Sequence, residues 1–272
     1  MNPIEPRPTL AGRNAVVTGG ASGIGEACAR KLFSLGCTVV ISDVNVERGQ
    51  AVVRELMGST EEGSSIQAIF IETDMSQGEQ TKQFAQTVLK TLGTVHILVN
   101  CAGIQTVSPI ESFPEERFRF MNELMLVAPF LLTQAFLPSM YEAKWGRIVN
   151  IGSIHSLVAS PAKVAYVMFK HALVGLTKST AVEGGPHGVT ANCICPSYVR
   201  TPLVEKQIAD QAVHRGISED EVIDKVMLPS NCVIRRLLEP NEVAELCAFL
   251  CSDAAQCITG SEQKIDCGWT SQ

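Results

Sequence analysis

Asn14-Ala15-Val16-Val17-Thr18-Gly19-Gly20-Ala21-Ser22-Gly23-Ile24-Gly25 runs from a short apolar segment into a glycine-rich turn. From Gly23 to about Leu35 the chain then has the periodicity of an amphipathic helix. The order strand, glycine turn, helix decides the fold class. Glycines at 19, 23 and 25 let the backbone turn sharply and approach a phosphate closely, and the free N–H groups of the helix point at the anion. The pattern is TGxxxGxG rather than GxGxxG, but the physical requirement is the same. Thr18, Gly19, Ser22, Gly23, Ile24 and Gly25 are therefore candidate cofactor-binding residues.

Outward from this turn, short β-branched runs alternate with longer amphipathic ones, the signature of a parallel sheet with crossover helices on both faces. Strands are expected at 14–18, 38–43, 66–73, 96–100, 147–152, 190–195 and 263–266, and helices at 23–35, 46–57, 77–92, 114–141, 163–184 and 240–252. Seven strands and six helices in alternation predict an α/β fold, one doubly wound Rossmann domain over residues 1–272. The stretch 201–238 breaks the rhythm. It holds helix signals at Val204–Ile208 and at Ser218-Glu219-Asp220-Glu221, and it comes after a strand's carboxyl end, the expected place for a helical substrate lid.

Bulk properties narrow the function. The 272 residues are 46% apolar and 18% charged, enough for one large core. A net charge of −6 with acids and bases interspersed argues against nucleic-acid binding. No apolar run reaches the roughly eighteen residues or more that a membrane span needs, and the start carries Glu5 and Arg7 among three prolines, so a soluble, cytoplasmic protein is expected. Ten cysteines read as small buried hydrophobes in a reducing compartment; their spacing forms no zinc site, and no metal is expected.

Several polar residues fall at expected strand ends, the edge where doubly wound sheets bind ligands. Asp43 ends the second strand, where a carboxylate accepts hydrogen bonds from an adenosine ribose and repels a 2′-phosphate. With Val44 next and no adjacent cation, NAD rather than NADP is the expected cofactor. Asp74 and Asn100-Cys101-Ala102-Gly103 lie on the same edge. Tyr166 and Lys170, four apart on a helix, share a face, so the ammonium can favour the phenolate. An ordinary phenol, with a pKa of about 10, is otherwise a poor base near neutrality. Ser153, thirteen residues earlier, completes a catalytic group for an alcohol or a carbonyl.

Taken in order, the TGxxxGxG loop, the Asn100–Gly103 block, Ser153, Tyr166 with Lys170, and Pro196-Ser197 with Thr201 beyond them resemble the short-chain dehydrogenase/reductase family over 18–269. The resemblance implies Tyr166 as general acid/base, Lys170 as its electrostatic partner and ribose anchor, and Ser153 as the donor that orients the substrate oxygen. It also implies cofactor contacts at Asn100, Ala102, Gly103, Pro196, Val199 and Thr201, and a homotetramer. Met125 stands where the family usually places an asparagine that holds a relay water, with Asn122 one turn earlier.

Ser153-Ile154-His155 through Pro161, Lys163, Arg200–Ile208 and the ending Asp266-Cys267-Gly268-Trp269 are similar to the 3-hydroxybutyrate dehydrogenase subfamily. That similarity implies a substrate carboxylate held by Gln105, His155, Lys163 and Gln207, and an (R)-3-hydroxybutyrate/acetoacetate couple. Helix geometry agrees: Lys163, Tyr166 and Lys170 fall at i, i+3 and i+7, one face. Tyr198 and Trp269 are expected to wall the substrate. Tyr198, where the subfamily usually has Trp, and Ser197, where the family favours Gly, leave room for another hydroxy acid or a secondary-metabolite ketone. A non-catalytic NAD-binding scaffold is a further alternative, with Met125 as its only support.

Overall fold

The computed structural model describes residues 10–60, 65–228 and 232–271. The first nine residues, and 229–231 of the expected lid, lie outside them. β1 (Asn14–Thr18) is in the middle of the sheet, where successive side chains enter opposite core layers: Ala15 and Val17 one, Val16 the other. β2 (Thr38–Asp43) divides in the same way, with Val39 and Ile41 against Val40. A strand buried on both faces has no polar side to alternate with, which is why these segments read as continuous apolar runs.

β3 (Ala68–Glu72), β4 (Ile97–Asn100), β5 (Gly146–Ile151), β6 (Val189–Pro196) and β7 (Glu262–Ile265) complete a seven-stranded sheet ordered β3-β2-β1-β4-β5-β6-β7. All its pairings are parallel. This is a Rossmann α/β sheet, and its order reverses between β1 and β4. β3 is shorter than the expected 66–73, as suits an edge strand paired only with β2.

The helices are α1 (Gly23–Ser34), α2 (Val46–Gly58), α3 (Gly78–Leu92), α4 (Glu115–Asn122), α5 (Ala128–Ala143), α6 (Val164–Gly184), α7 (Pro202–Arg215), α8 (Glu219–Val222) and α9 (Pro240–Cys251). α1 and α9 pack together on one face of the sheet, and α3 and α5 on the other. In 201–238, Thr201 caps α7 by accepting from the Val204 amide, and Ser218 and Glu221 cap α8 reciprocally. Val204, Ile208, Val222 and Met227 anchor these helices in the α1–α9 core layer.

The single helix expected at 114–141 is three pieces. Between α4 and α5, Glu123–Val127 forms a π-type turn in which the Ala128 amide donates to the Glu123 carbonyl five residues back. Pro129 has no N–H to give the Met125 carbonyl, so the α-helical ladder is interrupted there. The continuous helical stretch Glu115–Ala143 is nevertheless long and apolar enough by composition to cross a membrane, which corrects the expectation that no such segment exists. Its Leu132, Phe136 and Met140 are fully buried beside α3 and the sheet.

Because Phe136 is 0% exposed in this layer, Phe136→Ala removes a large packed side chain and leaves a cavity. The expected loss is about 3–5 kcal/mol of unfolding free energy in a urea titration. A loss under about 1 kcal/mol would contradict the packing described.

Candidate active site

At the point where the sheet order reverses, the Thr18 hydroxyl accepts from the backbone amides of Cys101 and Ala102 at 3.0 and 3.1 Å. These bonds hold the loop after β4 against the glycine turn. A Cβ at Gly19 would lie 2.9 Å from the Ala102 Cα, and one at Gly25 would collide with the Gly19 carbonyl oxygen. The cradle at the α1 N-terminus therefore exists only without side chains at both positions. That shape, at the N-terminus of a helix, fits the pyrophosphate of a dinucleotide.

Asp43 stands at the β2 end of the same crevice. One carboxylate oxygen accepts from the Ala21 amide at 3.1 Å and the other from the Asn45 amide at 3.0 Å, which fixes the plane of the group. Asp74 is held similarly, accepting from the Ser76 amide and hydroxyl at 2.9 and 2.7 Å.

A continuous cleft of about 410 Å³ runs from this turn to the beginning of α6. It brings together Gly19, Ser22, Gly23, Ile24, Gly25, Asp43, Asp74, Ala102 and Gly103 at one end. Gln105, Ser153, His155, Lys163, Tyr166, Lys170, Pro196, Tyr198, Val199, Thr201 and Gln207 line the rest. Three expected site residues are not in its wall. Thr18 is the clamp just described. Asn100 is buried, donating to the Asn150 side chain at 2.8 Å, which in turn donates to Thr177 of α6 at 2.9 Å. Trp269 lies behind Tyr198, their ring centres 5.7 Å apart, so it supports the wall rather than forming it.

Local backbone places the reactive face. Ala162 takes φ +60°, an unusual left-handed conformation for a residue with a Cβ, and its carbonyl accepts from the Ser108 amide at 2.9 Å. The chain then enters α6, so Lys163, Tyr166 and Lys170 line the same cleft. Lys170 is buried, donates to the Ile151 carbonyl at 2.6 Å and has its Nζ 5.4 Å from the centre of the Tyr166 ring. Lys163 donates to the Tyr198 hydroxyl at 2.9 Å, with its Nζ 5.1 Å from that ring's centre.

His155, expected to present a donor to a carboxylate, lines the cleft. Its Nδ1 is 3.3 Å from the Ser153 hydroxyl and its Nε2 is 2.9 Å from the Ser160 hydroxyl, so serines engage both ring nitrogens. Sequence reasoning missed Ser160, because the turn that returns it to His155 has no periodicity. It also missed Phe120 and Leu124 in the cleft wall, although their i, i+4 spacing was a usable signal. Burial pushes the Cys101 thiol up to about 12, partly offset by Lys170, so this residue is a neutral wall.

Met125 is buried in the π-type turn and packs with Met121, Ala165 and Phe169 in an apolar cluster that Tyr166 borders. Its terminal methyl lies 3.7 Å from where a Gly103 Cβ would stand, and the Lys170 Nζ 3.9 Å from that point. A thioether gives no hydrogen to donate there. Asn122 does not line the cleft.

Residues 13–212 match the family model described as short chain dehydrogenase. The chain is 41% identical to a protein named D-beta-hydroxybutyrate dehydrogenase from Rhizobium meliloti, over 96% of this chain and 99% of the relative. It is 38% identical to one of the same name from Cupriavidus necator, over 97% and 100% respectively. An uncharacterised oxidoreductase of Bacillus subtilis is 39% identical over 95% of this chain and 98% of its own.

Desolvation, with smaller contributions from the Lys163 and His171 charges, lowers the His155 pKa to about 4. The folded imidazole thus refuses a proton that the unfolded chain, with a histidine pKa of about 6.5, accepts. Its stabilising effect is complete above pH 6.5 and is lost as pH falls towards about 4, on the order of 3 kcal/mol in all. Urea titrations from pH 7.5 to 4.5 are expected to show a shallower stability loss in His155→Gln than in the wild type. Equal slopes would show that the ring is not held neutral.

Proposed function

We propose, for a chain that belongs to the short-chain dehydrogenase family, that it interconverts (R)-3-hydroxybutyrate and acetoacetate with NAD as the electron partner. Family membership makes it an oxidoreductase. The observation that carries the substrate is Lys163, which faces the cleft on the same helix as Tyr166, three residues away, and is bonded to a neutral phenol rather than a carboxylate. An anionic substrate end can therefore take up its charge. Gln105 and Gln207, in the same wall, offer neutral amide donors to the remaining lone pairs. Two full-length relatives named D-beta-hydroxybutyrate dehydrogenase support the same substrate.

For the cofactor, Asp43 supports NAD: its fixed carboxylate suits ribose hydroxyls and opposes a 2′-phosphate, and the residue beside it is Val44. A nicotinamide bound in the cleft supplies the hydride acceptor for alcohol oxidation. Ser153 donates to the substrate oxygen and holds it beside Tyr166, whose phenolate takes the hydroxyl proton as the carbonyl forms. Lys170, fixed on the Ile151 carbonyl, keeps a positive charge near that phenol.

The proposal includes a homotetramer in a reducing cytoplasm. Met168, Gly175 and Val182 recur every seven residues on α6, with Met168 and Val182 50% and 78% exposed, a stripe suited to another copy's helix. The ten cysteines are all free, as a reducing compartment requires. A monomer mass by light scattering would remove the oligomer from the proposal. The Tyr198 hydroxyl on Lys163 favours one second reading, a different short hydroxy acid with the same chemistry.

NADH absorbance with a panel of hydroxy acids and neutral alcohols tests both readings, and (R)-3-hydroxybutyrate with NAD is expected to give the highest kcat/KM. Tyr166→Phe is expected to lower kcat by about 10²–10⁴-fold. Lys163→Ala should raise KM for the acid by about 10–100-fold while sparing a neutral ketone. Equal losses on both substrates would eliminate the carboxylate clamp.

A further inference from the structure

We propose that the Tyr198 hydroxyl donates a hydrogen bond to the substrate carboxylate, so that Lys163 and Tyr198 form a two-donor clamp. This rests on the proposed function, in which an acid occupies the cleft. An apolar wall, the role expected at this position, needs only the ring. The hydroxyl serves a different purpose.

Chemistry fixes the direction of the bond between the two side chains. An ammonium has three N–H groups and no lone pair, so Lys163 donates and the phenol oxygen, 2.9 Å away, accepts. By accepting through a lone pair, the phenol keeps its own hydrogen. Among the described residues no acceptor takes that hydrogen, and Tyr198 lines the cleft. Lys163 likewise keeps two N–H groups after its bond to Tyr198. Two donors therefore stand side by side in one wall. A carboxylate has two oxygens on one carbon, each with lone pairs to offer, and can meet both donors at once. The chain ammonium, phenol, carboxylate also runs in one sense, and each bond in it polarises the next. Gln105, His155 and Gln207 line the same cleft and give up nothing to this clamp.

The backbone holds Tyr198 in place. Its carbonyl accepts from the Leu238 amide at 2.9 Å, and the preceding Ser197 amide donates to the Ile265 carbonyl at 3.1 Å. Behind the ring stands Trp269, whose amide donates to the Asp266 carbonyl at 3.0 Å. The Asp266 carboxylate in turn accepts from the Gly268 and Thr270 amides at 3.1 and 2.9 Å. A donor on a ring fixed in this way loses little freedom when the substrate binds.

Butyrate, an acid of the same length without the reacting hydroxyl, reads the clamp without turnover when titrated into the full-length protein saturated with NAD and followed by ligand-observed NMR. Tyr198→Phe is expected to raise its Kd about tenfold, as the loss of one hydrogen bond to a charged group does. With (R)-3-hydroxybutyrate and NAD, the same variant should raise KM about tenfold with kcat changed less than about twofold. Turnover of 2-butanol, in which a methyl group replaces the carboxylate, should stay within about twofold. Tyr198→3-fluorotyrosine, in slightly acidic buffer that keeps the phenol protonated, separates donation to the substrate from mere support of Lys163. Fluorine makes a phenol a stronger donor and a weaker acceptor, so butyrate is expected to bind more tightly. Weaker or unchanged binding in the fluorinated protein, or a Kd in Tyr198→Phe within about twofold of the wild type, overturns the inference. If Lys163→Ala weakens butyrate while Tyr198→Phe does not, only the Tyr198 inference falls; if Lys163→Ala leaves butyrate binding intact, the carboxylate clamp of the proposed function falls with it.

Discussion

One threonine oxygen takes two backbone hydrogens at the place where the sheet reverses, and the geometry of the cleft depends on it. Thr18 ends β1, and the amides it accepts from, Cys101 and Ala102, begin the loop after β4. Buried amides in a loop need acceptors, and side chains must supply them where no neighbouring strand continues the ladder. The same bonds draw Ala102 so close to Gly19 that a side chain at Gly19 cannot be housed. The glycine cradle and the Asn100–Gly103 block are thus one construction, made rigid at its base.

A second construction sets the position of α6 against the strand ends. Asn100, Asn150 and Thr177 form a buried chain that links β4, β5 and α6. α6 is therefore registered against the strand ends at one point, while the left-handed turn at Ala162 fixes where it begins. Between those constraints, Lys163, Tyr166 and Lys170 have little freedom to change their relation to Ser153. Their chemistry stems from rigid backbone rather than from loop adaptation, as a site that must hold a reacting oxygen within hydrogen-bond reach requires.

This division explains what could be read from the sequence. The Rossmann sheet was legible because strands buried on both faces must be apolar throughout, and the crossover helices must be amphipathic. The shared face of Lys163, Tyr166 and Lys170 was legible because helical spacing is arithmetic. The break at Glu123–Val127 was not, since it turns on how carbonyls are bonded around Pro129, and the segment's apolar pattern continues through it. His155 was legible as a residue of the cleft but not as a partner of two serines, because a 3-10 turn and a positive φ bring Ser160 back to it. Trp269 shows the same limit: its apolarity says that it packs, while only three-dimensional placement says that it packs behind Tyr198.

The two lysines of the cleft have opposite circumstances, and the contrast bears on substrate size. Lys170 is buried and spends a hydrogen bond on a carbonyl, so its charge acts on a fixed neighbour, Tyr166. Lys163 is less enclosed, and its bonded partner is a phenol that carries no neutralising charge. Tyr198, braced from behind by Trp269, aims that ammonium without cancelling it. Residues three apart on a helix have Cβ atoms about 5–6 Å apart, so Lys163 and Tyr166 start close together. An acid with few carbons between its carboxylate and its reacting hydroxyl can satisfy both at once. A long acid would have to fold back, and a neutral ketone would leave the ammonium with only its phenol. In the proposed reaction, charge selects the class of substrate and the pitch of α6 limits its length.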